Sequence, residues 1–373
     1  MRLRIATFNV ENLAARSSYG PKQRPDTAPA LSLFHFAQPD ARENVERSVA
    51  VALEDDKREL TALAIAETRA DILALQEVDN LDVLQAFFSN YVHRVSDLRY
   101  EHFKLVHGND QRGIDVAFVM RKGLAGRDAL TFRSHREATF GELDLYSDDL
   151  EEFGIRPGDR VFNRDCLEAS IALGDRELTL FVSHFKAMTD YQEERAGTLA
   201  VRQAEATAVR RIVERRFGKN WRSANWIVAG DLNDCRERIT LGGEVQPTGP
   251  SGLDSLLEDF AVNPFARLSA NERWTYLYRD LLEPESVLIE EHVQLDYILL
   301  SPALAAANPD VRPEVLRRGL PYRVPLDPAA PDRSIAYLAT RGDRYPRVGW
   351  DRPKASDHCP VVVEIEVPGQ PGA

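Results

Sequence analysis

An acid and an amide two positions apart, Asp231 and Asn233 in Gly230-Asp231-Leu232-Asn233-Asp234, follow directly on Trp226-Ile227-Val228-Ala229. That apolar run has the length and composition of a buried strand. Turn chemistry begins where such a strand stops, so both side chains emerge at its end and can face one pocket. There the carboxylate can polarise a water or hold a metal, and the amide can hydrogen-bond a ligand oxygen. Taken alone, the same residues also make an ordinary turn for conformational reasons. The pattern recurs, however. Ile5-Ala6-Thr7-Phe8 leads into Asn9-Val10-Glu11-Asn12, Ile72-Leu73-Ala74-Leu75 into Gln76-Glu77, and Thr179-Leu180-Phe181-Val182 into Ser183-His184-Phe185-Lys186. Near the C-terminus Gln294-Leu295-Asp296-Tyr297 precedes Ile298-Leu299-Leu300, and Ser356-Asp357-His358-Cys359-Pro360 precedes Val361-Val362-Val363. Six polar clusters beside apolar runs point to one shared site.

The elements that must position these groups alternate along the chain. Val45, Val49, Leu53, Leu60, Leu63 and Ile65 predict a helix from 44 to about 69, ahead of a strand at 72–76. A short helix is expected at 83–88 and a strand at 113–120, entered from the turn after Gln111-Arg112. Leu199, Ala206, Val209, Val213 and Phe217 mark one face of a helix over 195–217, with Arg210, Arg211, Arg215 and Arg216 mostly turned to water. With the strands on either side it forms a βαβ unit, and the alternation favours an α/β layered protein. Residues 13–42 carry no sustained period and read as a long loop, in which Tyr19, Phe34, His35 and Phe36 either pack down or line a groove.

In order and spacing, TFNVENL, LQEV, SHFK, GDLND, QLDYIL and SDHCP resemble the signature of the endonuclease/exonuclease/phosphatase superfamily. That superfamily includes deoxyribonuclease I, exonuclease III-like repair enzymes, inositol polyphosphate 5-phosphatases and neutral sphingomyelinases. The likeness spans residues 1 to about 367. It implies a layered α/β sandwich, two packed mixed β-sheets flanked by helices. Because motifs from both ends must meet, residues 1–367 read as a single domain with insertions near 13–42, 122–164 and 308–353, and 368–373 as a tail.

The resemblance also implies metal-dependent hydrolysis of phosphate esters, which needs charge neutralisation, an activated water and help for the leaving oxygen. Glu77 is then the principal ligand of Mg²⁺ or Mn²⁺, which favour oxygen donors. Asn9 holds that carboxylate or a phosphate oxygen, and Asp357 is a candidate second ligand. Asp231 orients and deprotonates the attacking water, while Asn233 hydrogen-bonds phosphate. His358, ordered by Asp296, contacts the phosphoryl group as imidazolium or takes part in proton transfer. His184 stands where deoxyribonuclease-like members carry a second histidine, and protonates the leaving oxygen or binds its oxyanion. Arg112 is a candidate phosphate contact, although an ordinary surface arginine reads equally well.

Composition bounds the substrate. Lys and Arg number 47 against 59 Asp and Glu, a net charge of -12 over 373 residues. This argues against a nonspecific polyanion coat, yet bound metal and a local basic groove can overcome repulsion of phosphate. Two stretches depart from the average. Residues 142–152 carry six acids and read as a solvated loop, or as a cation-binding or self-shielding arm, without the Asp-x-Asp-x-Asp-Gly pattern of a calcium loop. Residues 308–353 carry nine Arg against six Asp and Glu, and read either as a substrate clamp or as a solvated surface loop. Cys166, Cys235 and Cys359 lack zinc or disulfide spacing, and no apolar signal region or membrane span is evident, so a cytoplasmic protein is expected. The leading expectation is a phosphodiesterase acting on DNA, with no protein partner evident. A phosphomonoesterase or a lipid phosphodiesterase is the alternative, with a phosphoinositide, sphingomyelin or a nucleotide as substrate, and an inactive binding module the third reading.

Overall fold

The computed structural model describes residues 1–14, 38–188, 195–240, 244–282, 287–321, 343–349 and 352–369. Tyr19, Phe34, His35 and Phe36 lie outside them, as do residues 322–342 of the arginine-rich stretch. Fifteen strands form three sheets among the described residues. The first is mixed and runs in the order β14 (Glu314–Val315), β15 (Val361–Glu366), β1 (Arg2–Leu13), β2 (Ile72–Val78), β4 (Asp115–Arg121) and β3 (Tyr100–Leu105). The second, also mixed, runs β13 (Asp296–Leu300), β8 (Trp226–Asp231), β7 (Arg176–His184), β6 (Cys166–Leu173) and β5 (Leu130–Ser134). A third, small sheet of β10 (Val245–Pro247), β9 (Glu237–Thr240), β12 (Val287–Val293) and β11 (Tyr276–Leu282) goes beyond the two sheets expected from the sequence.

The two large sheets pack face to face, and the alternation of side chains along each strand decides what they share. Leu3 and Ile5 of β1, Ile72 and Ala74 of β2, Leu178, Leu180 and Val182 of β7, Ile227 and Ala229 of β8, and Ile298 and Leu300 of β13 fill the space between them. The alternate residues face outward onto helices. Ala6, Phe8, Leu73 and Leu75 lie beneath the helix Pro39–Thr68, and Phe181, Trp226 and Val228 beneath the helix Arg195–Phe217. Strands covered on both faces need apolar side chains at nearly every position, which is why these runs read as continuous. Each wholly buried aliphatic chain contributes about 1.5–3 kcal/mol.

Both long helices serve as crossovers between parallel neighbours, β1 to β2 and β7 to β8. The second is the βαβ unit expected from the sequence. The first helix begins earlier than the apolar spacing indicates, at Pro39, because proline suits the first helical turn and Gln38 before it is extended. Residues 122–164 supply β5, which pairs with β6 at the edge of the second sheet. The acidic stretch within them is partly tied down: Arg211 binds the Leu143 carbonyl and lies 3.3 Å from Asp144, and Arg215 donates to the Glu142 carbonyl at 2.9 Å. These arginines were expected to face water mostly, and they instead fasten that stretch to the helix.

Candidate active site

At one end of the sandwich the row of side chains between the sheets changes from apolar to polar. Continuing the same alternation, Asn9 follows Ile5 and Thr7, His184 follows Val182, Asp231 follows Ala229, and Asp296 precedes Ile298. Strand register then makes distant residues neighbours: Asp231 pairs with His184 on one side and with Asp296 on the other. The two sheets are joined here by Asn9, whose amide donates to Asp231 Oδ2 at 3.0 Å and to Glu77 Oε1 at 3.1 Å.

Asp231 is the centre of the cluster. Its Oδ1 accepts the Asn233 backbone N–H at 2.9 Å, while its Oδ2 lies 3.4 Å from His184 Nε2 and 3.7 Å from His358 Nε2. Burial works to raise its pKa, but His358 and then His184 outweigh that and hold the carboxyl well below its usual range. Asp296, wholly buried, accepts from His358 Nδ1 at 2.9 Å. Burial pushes the Asp296 carboxyl up to about 6. For His358, burial favours the neutral ring, yet Asp296 and Asp231 on either side raise its pKa well above the ordinary value. The imidazolium is further seated by the backbone N–H of His358 on Ser356 Oγ at 3.0 Å, and Ser356 Oγ donates to the Asn9 carbonyl at 2.8 Å. His184 behaves oppositely: burial and the nearby Arg164 lower its pKa despite Asp231, so it stays neutral at neutral pH.

Glu77, the last residue but one of β2, is half-buried, its Oε2 accepting the Asn12 N–H at 3.0 Å. Glu11, Asn12, Glu77 and Asn233 have φ of 51, 60, 64 and 49°, left-handed values that side chains other than glycine rarely adopt. Such strain gathers at functional sites. Asn233 donates its side-chain amide to the Phe185 carbonyl at 3.0 Å, which leaves its second amide hydrogen for a ligand. Asp357 is half-buried beside Lys354. Arg112 is tied to Asp110 through Nε at 3.1 Å and Nη2 at 2.9 Å, so its charge is shared with a carboxylate.

Two groups of ligating atoms fit a cation differently. The ligating atoms of Asp231, Asp296 and His358 come within 4.8 Å of one another. A metal-bound histidine must be neutral, however, whereas His358 is held as imidazolium with each ring nitrogen facing a carboxylate. That trio suits proton handling. Glu77 offers oxygen only, and its hydrogen bonds come from the Asn9 amide and the Asn12 N–H, neither of which is charged. A hard divalent ion matches that chemistry. Glu11 was not assigned a role from the sequence, although it stands two residues after Asn9 in the same motif and the spacing carried the signal. Ser356 likewise stood in a quoted motif without a role, whereas Arg164 and Lys354 had no such signal, since each reaches the site only through the packing.

The arginines considered for a substrate clamp have other partners. Arg317 stacks 4.2 Å over the Trp274 ring and donates to the carbonyls of Glu272 and Trp274 at 2.7 and 2.8 Å. Arg318 lies over Tyr345 and 3.0 Å from Asp343.

A sandwich of two mixed sheets with carboxylates, amides and paired histidines at one end has the make-up of a phosphoester hydrolase. The model of the Endonuclease/Exonuclease/phosphatase family matches residues 6–358, and the chain belongs to that family. Its enzymes are metal-dependent hydrolases, and this chain is a hydrolase of that kind. No curated protein matches it by sequence. Among solved structures, truncated TDP2 of Caenorhabditis elegans is similar over 98% of this chain and 97% of its own, with a TM-score of 0.50 and 12% identity. The AP endonuclease LMAP of Leishmania major is similar over 98% of this chain and 88% of its own, with a TM-score of 0.50 and 16% identity. At such identities the likeness is one of fold. No helix among the described residues is long and apolar enough to cross a membrane.

Proposed function

We propose that this protein is a divalent-metal-dependent phosphodiesterase acting on DNA. The observation that carries this reading is the surroundings of Asp231, a buried carboxylate flanked by Asn9, His184 and the His358–Asp296 pair, with Glu77 on the other side of Asn9.

In this reading Glu77 would hold Mg²⁺ or Mn²⁺, and such an ion would supply charge neutralisation at the phosphoryl group and a lower pKa for water. Asp231 accepts a hydrogen bond from the attacking water and aims it. A carboxylate held so far below its usual pKa is a weak base, so orienting the water is the larger part of its work. Asn9 keeps the Asp231 and Glu77 carboxylates in register. Asn233 offers its free amide hydrogen to a phosphoryl oxygen. His358, as imidazolium against Asp296, stabilises negative charge that develops on the phosphoryl group. His184, neutral and with its Nε2 3.4 Å from Asp231 Oδ2, has a single N–H to give, which turns from Asp231 to the leaving oxygen as charge develops there. Arg112 is retained as a phosphate contact only if substrate draws it from Asp110.

The DNA assignment draws on His184, the histidine in SHFK that resembles the deoxyribonuclease-like members. A phosphomonoesterase or lipid phosphodiesterase is the second reading, favoured by the net charge of -12 and by the internal partners of Arg317 and Arg318. Duplex DNA, single-stranded DNA, RNA, nucleotides and phospholipid vesicles, each assayed with Mg²⁺ and Mn²⁺, separate the two. Cleavage of DNA, abolished by chelator and by Glu77→Ala, supports the first. Turnover of nucleotides or lipids with inert DNA replaces it with the second, and no turnover of any substrate leaves the inactive binding module.

A further inference from the structure

Two ammonium groups stand against the acids Glu11 and Asp357. Lys354 Nζ lies 3.0 Å from Glu11 Oε1 and 4.0 Å from Asp357 Oδ2. Lys57 Nζ lies 2.5 Å from the Glu11 carbonyl oxygen and 3.7 Å from Glu11 Oε2. They arrive from separate parts of the chain: Lys57 from the helix Pro39–Thr68, and Lys354 from the segment just ahead of Ser356. All three of these side chains are largely covered, with 14% of Lys354, 22% of Lys57 and 18% of Glu11 exposed. Surface lysines reach outward to keep their charge hydrated. These two are turned inward onto carboxylates.

The charges divide the acids into two sets. Glu11 and Asp357 carry two negative charges, and Lys57 and Lys354 carry two positive ones. The hydrogen bonds to Glu77 come instead from neutral donors, the Asn9 amide and the Asn12 N–H. Its negative charge is not balanced by any lysine or arginine bond among the described residues. A divalent ion seated at Glu77 meets an uncompensated carboxylate, whereas one directed at Glu11 and Asp357 has to displace an ammonium and remain close to it.

We propose that Lys354, supported by Lys57, serves as a built-in cation for Glu11 and Asp357, so that the centre takes one divalent ion at Glu77 and not two. This rests on the hydrolase reading and deepens it by specifying the number of metals. Lysine suits the role as a compact charge on a flexible stem. The ammonium touches only Glu11 and Asp357, so Lys354 acts by positioning those two carboxylates.

The test is Mn²⁺ binding to the metal-free full chain, read from the electron paramagnetic resonance signal of free Mn²⁺, with folding checked by circular dichroism. The wild type is expected to bind one Mn²⁺. Lys354→Met is expected to open a second site, or failing that to tighten Mn²⁺ binding by about tenfold or more, because a positive charge near the ion has been removed. Lys354→Arg retains the charge and is expected to bind one ion. Should Lys354→Met not fold, Lys354→Gln makes the same comparison. Two ions in the wild type, or unchanged number and affinity in both Lys354→Met and Lys354→Gln, overturn the inference while leaving the hydrolase reading intact. No Mn²⁺ binding to the wild type overturns the metal assignment at Glu77 itself, and the inference falls with it.

Discussion

Asp296 is expected to act only through His358, and a double-mutant cycle measures this. The contact is a 2.9 Å hydrogen bond between wholly buried groups. A hydrogen bond to a charged partner is worth about 1.5–3 kcal/mol, and each 1.36 kcal/mol is a factor of ten in rate. Asp296→Asn keeps the shape and removes the charge, so kcat should fall by roughly 10- to 150-fold on that reasoning. His358→Ala removes the imidazolium and should cost about 10²–10⁴-fold. If the two residues work as one unit, the double variant should be no slower than His358→Ala alone. Independent action would multiply the losses instead, to between about 10³ and 10⁶. A small activated phosphodiester such as bis(4-nitrophenyl) phosphate reports kcat without calling on distant substrate contacts. Full multiplicativity, with circular dichroism unchanged in all three variants, would refute the dyad.

Three further outcomes follow from the geometry. Below pH about 6 Asp296 takes up a proton and the imidazolium loses its counter-charge, so kcat should decline on the acid side with a limb that Asp296→Asn removes; an identical limb in that variant assigns it elsewhere. The sign for stability differs by group: His358, raised above its ordinary value, contributes fully below that value and loses its contribution as pH rises through the folded pKa, while Asp231, depressed, loses its contribution only as pH falls through its own. Gly230 has a φ of 149° and pairs with Ser183, and an added Cβ would come within 1.8 Å of the Ser183 carbonyl oxygen, so Gly230→Ala should cost more than about 4 kcal/mol in chemical denaturation. A midpoint near that of the wild type contradicts the close approach of β7 and β8. Arg317→Ala should destabilise by about 3 kcal/mol, from a cation–π contact and two charge-assisted hydrogen bonds, and should leave the salt dependence of DNA binding unchanged. Native stability together with a flattened salt slope would restore Arg317 to a substrate clamp.

Much of this protein can be read before it is folded. Strands buried on both faces leave continuous apolar runs, which is why β2, β7, β8 and the helix between β7 and β8 are visible as sequence. The period of two along a strand also carries information: it places Asn9, His184, Asp231 and Asp296 on the same side as the apolar residues that fill the sandwich. Both signals are local, arising from backbone geometry repeated over a few residues. They name the chemical groups and the strand ends that present them.

Only the tertiary structure decides which groups meet. Asn9 and Asp231 are 222 positions apart, and their 3.0 Å hydrogen bond depends on two sheets packing at one relative height. The third sheet was hidden because charged and polar residues interrupt its strands, as in Tyr276–Leu282 and Val287–Val293, and leave no continuous apolar run. The partners of individual charges were hidden too: a lysine or arginine has the same formal charge whether it meets solvent, a carboxylate or an aromatic face. Thus Arg317 read as part of a basic clamp and is bound to Trp274, while Lys354 carried no signal and lies against Glu11. Charge along a chain is set by composition, whereas the contact that uses it is set by long-range packing. The sequence by itself therefore determined the kind of chemistry, and the fold decided which residues carry it out together.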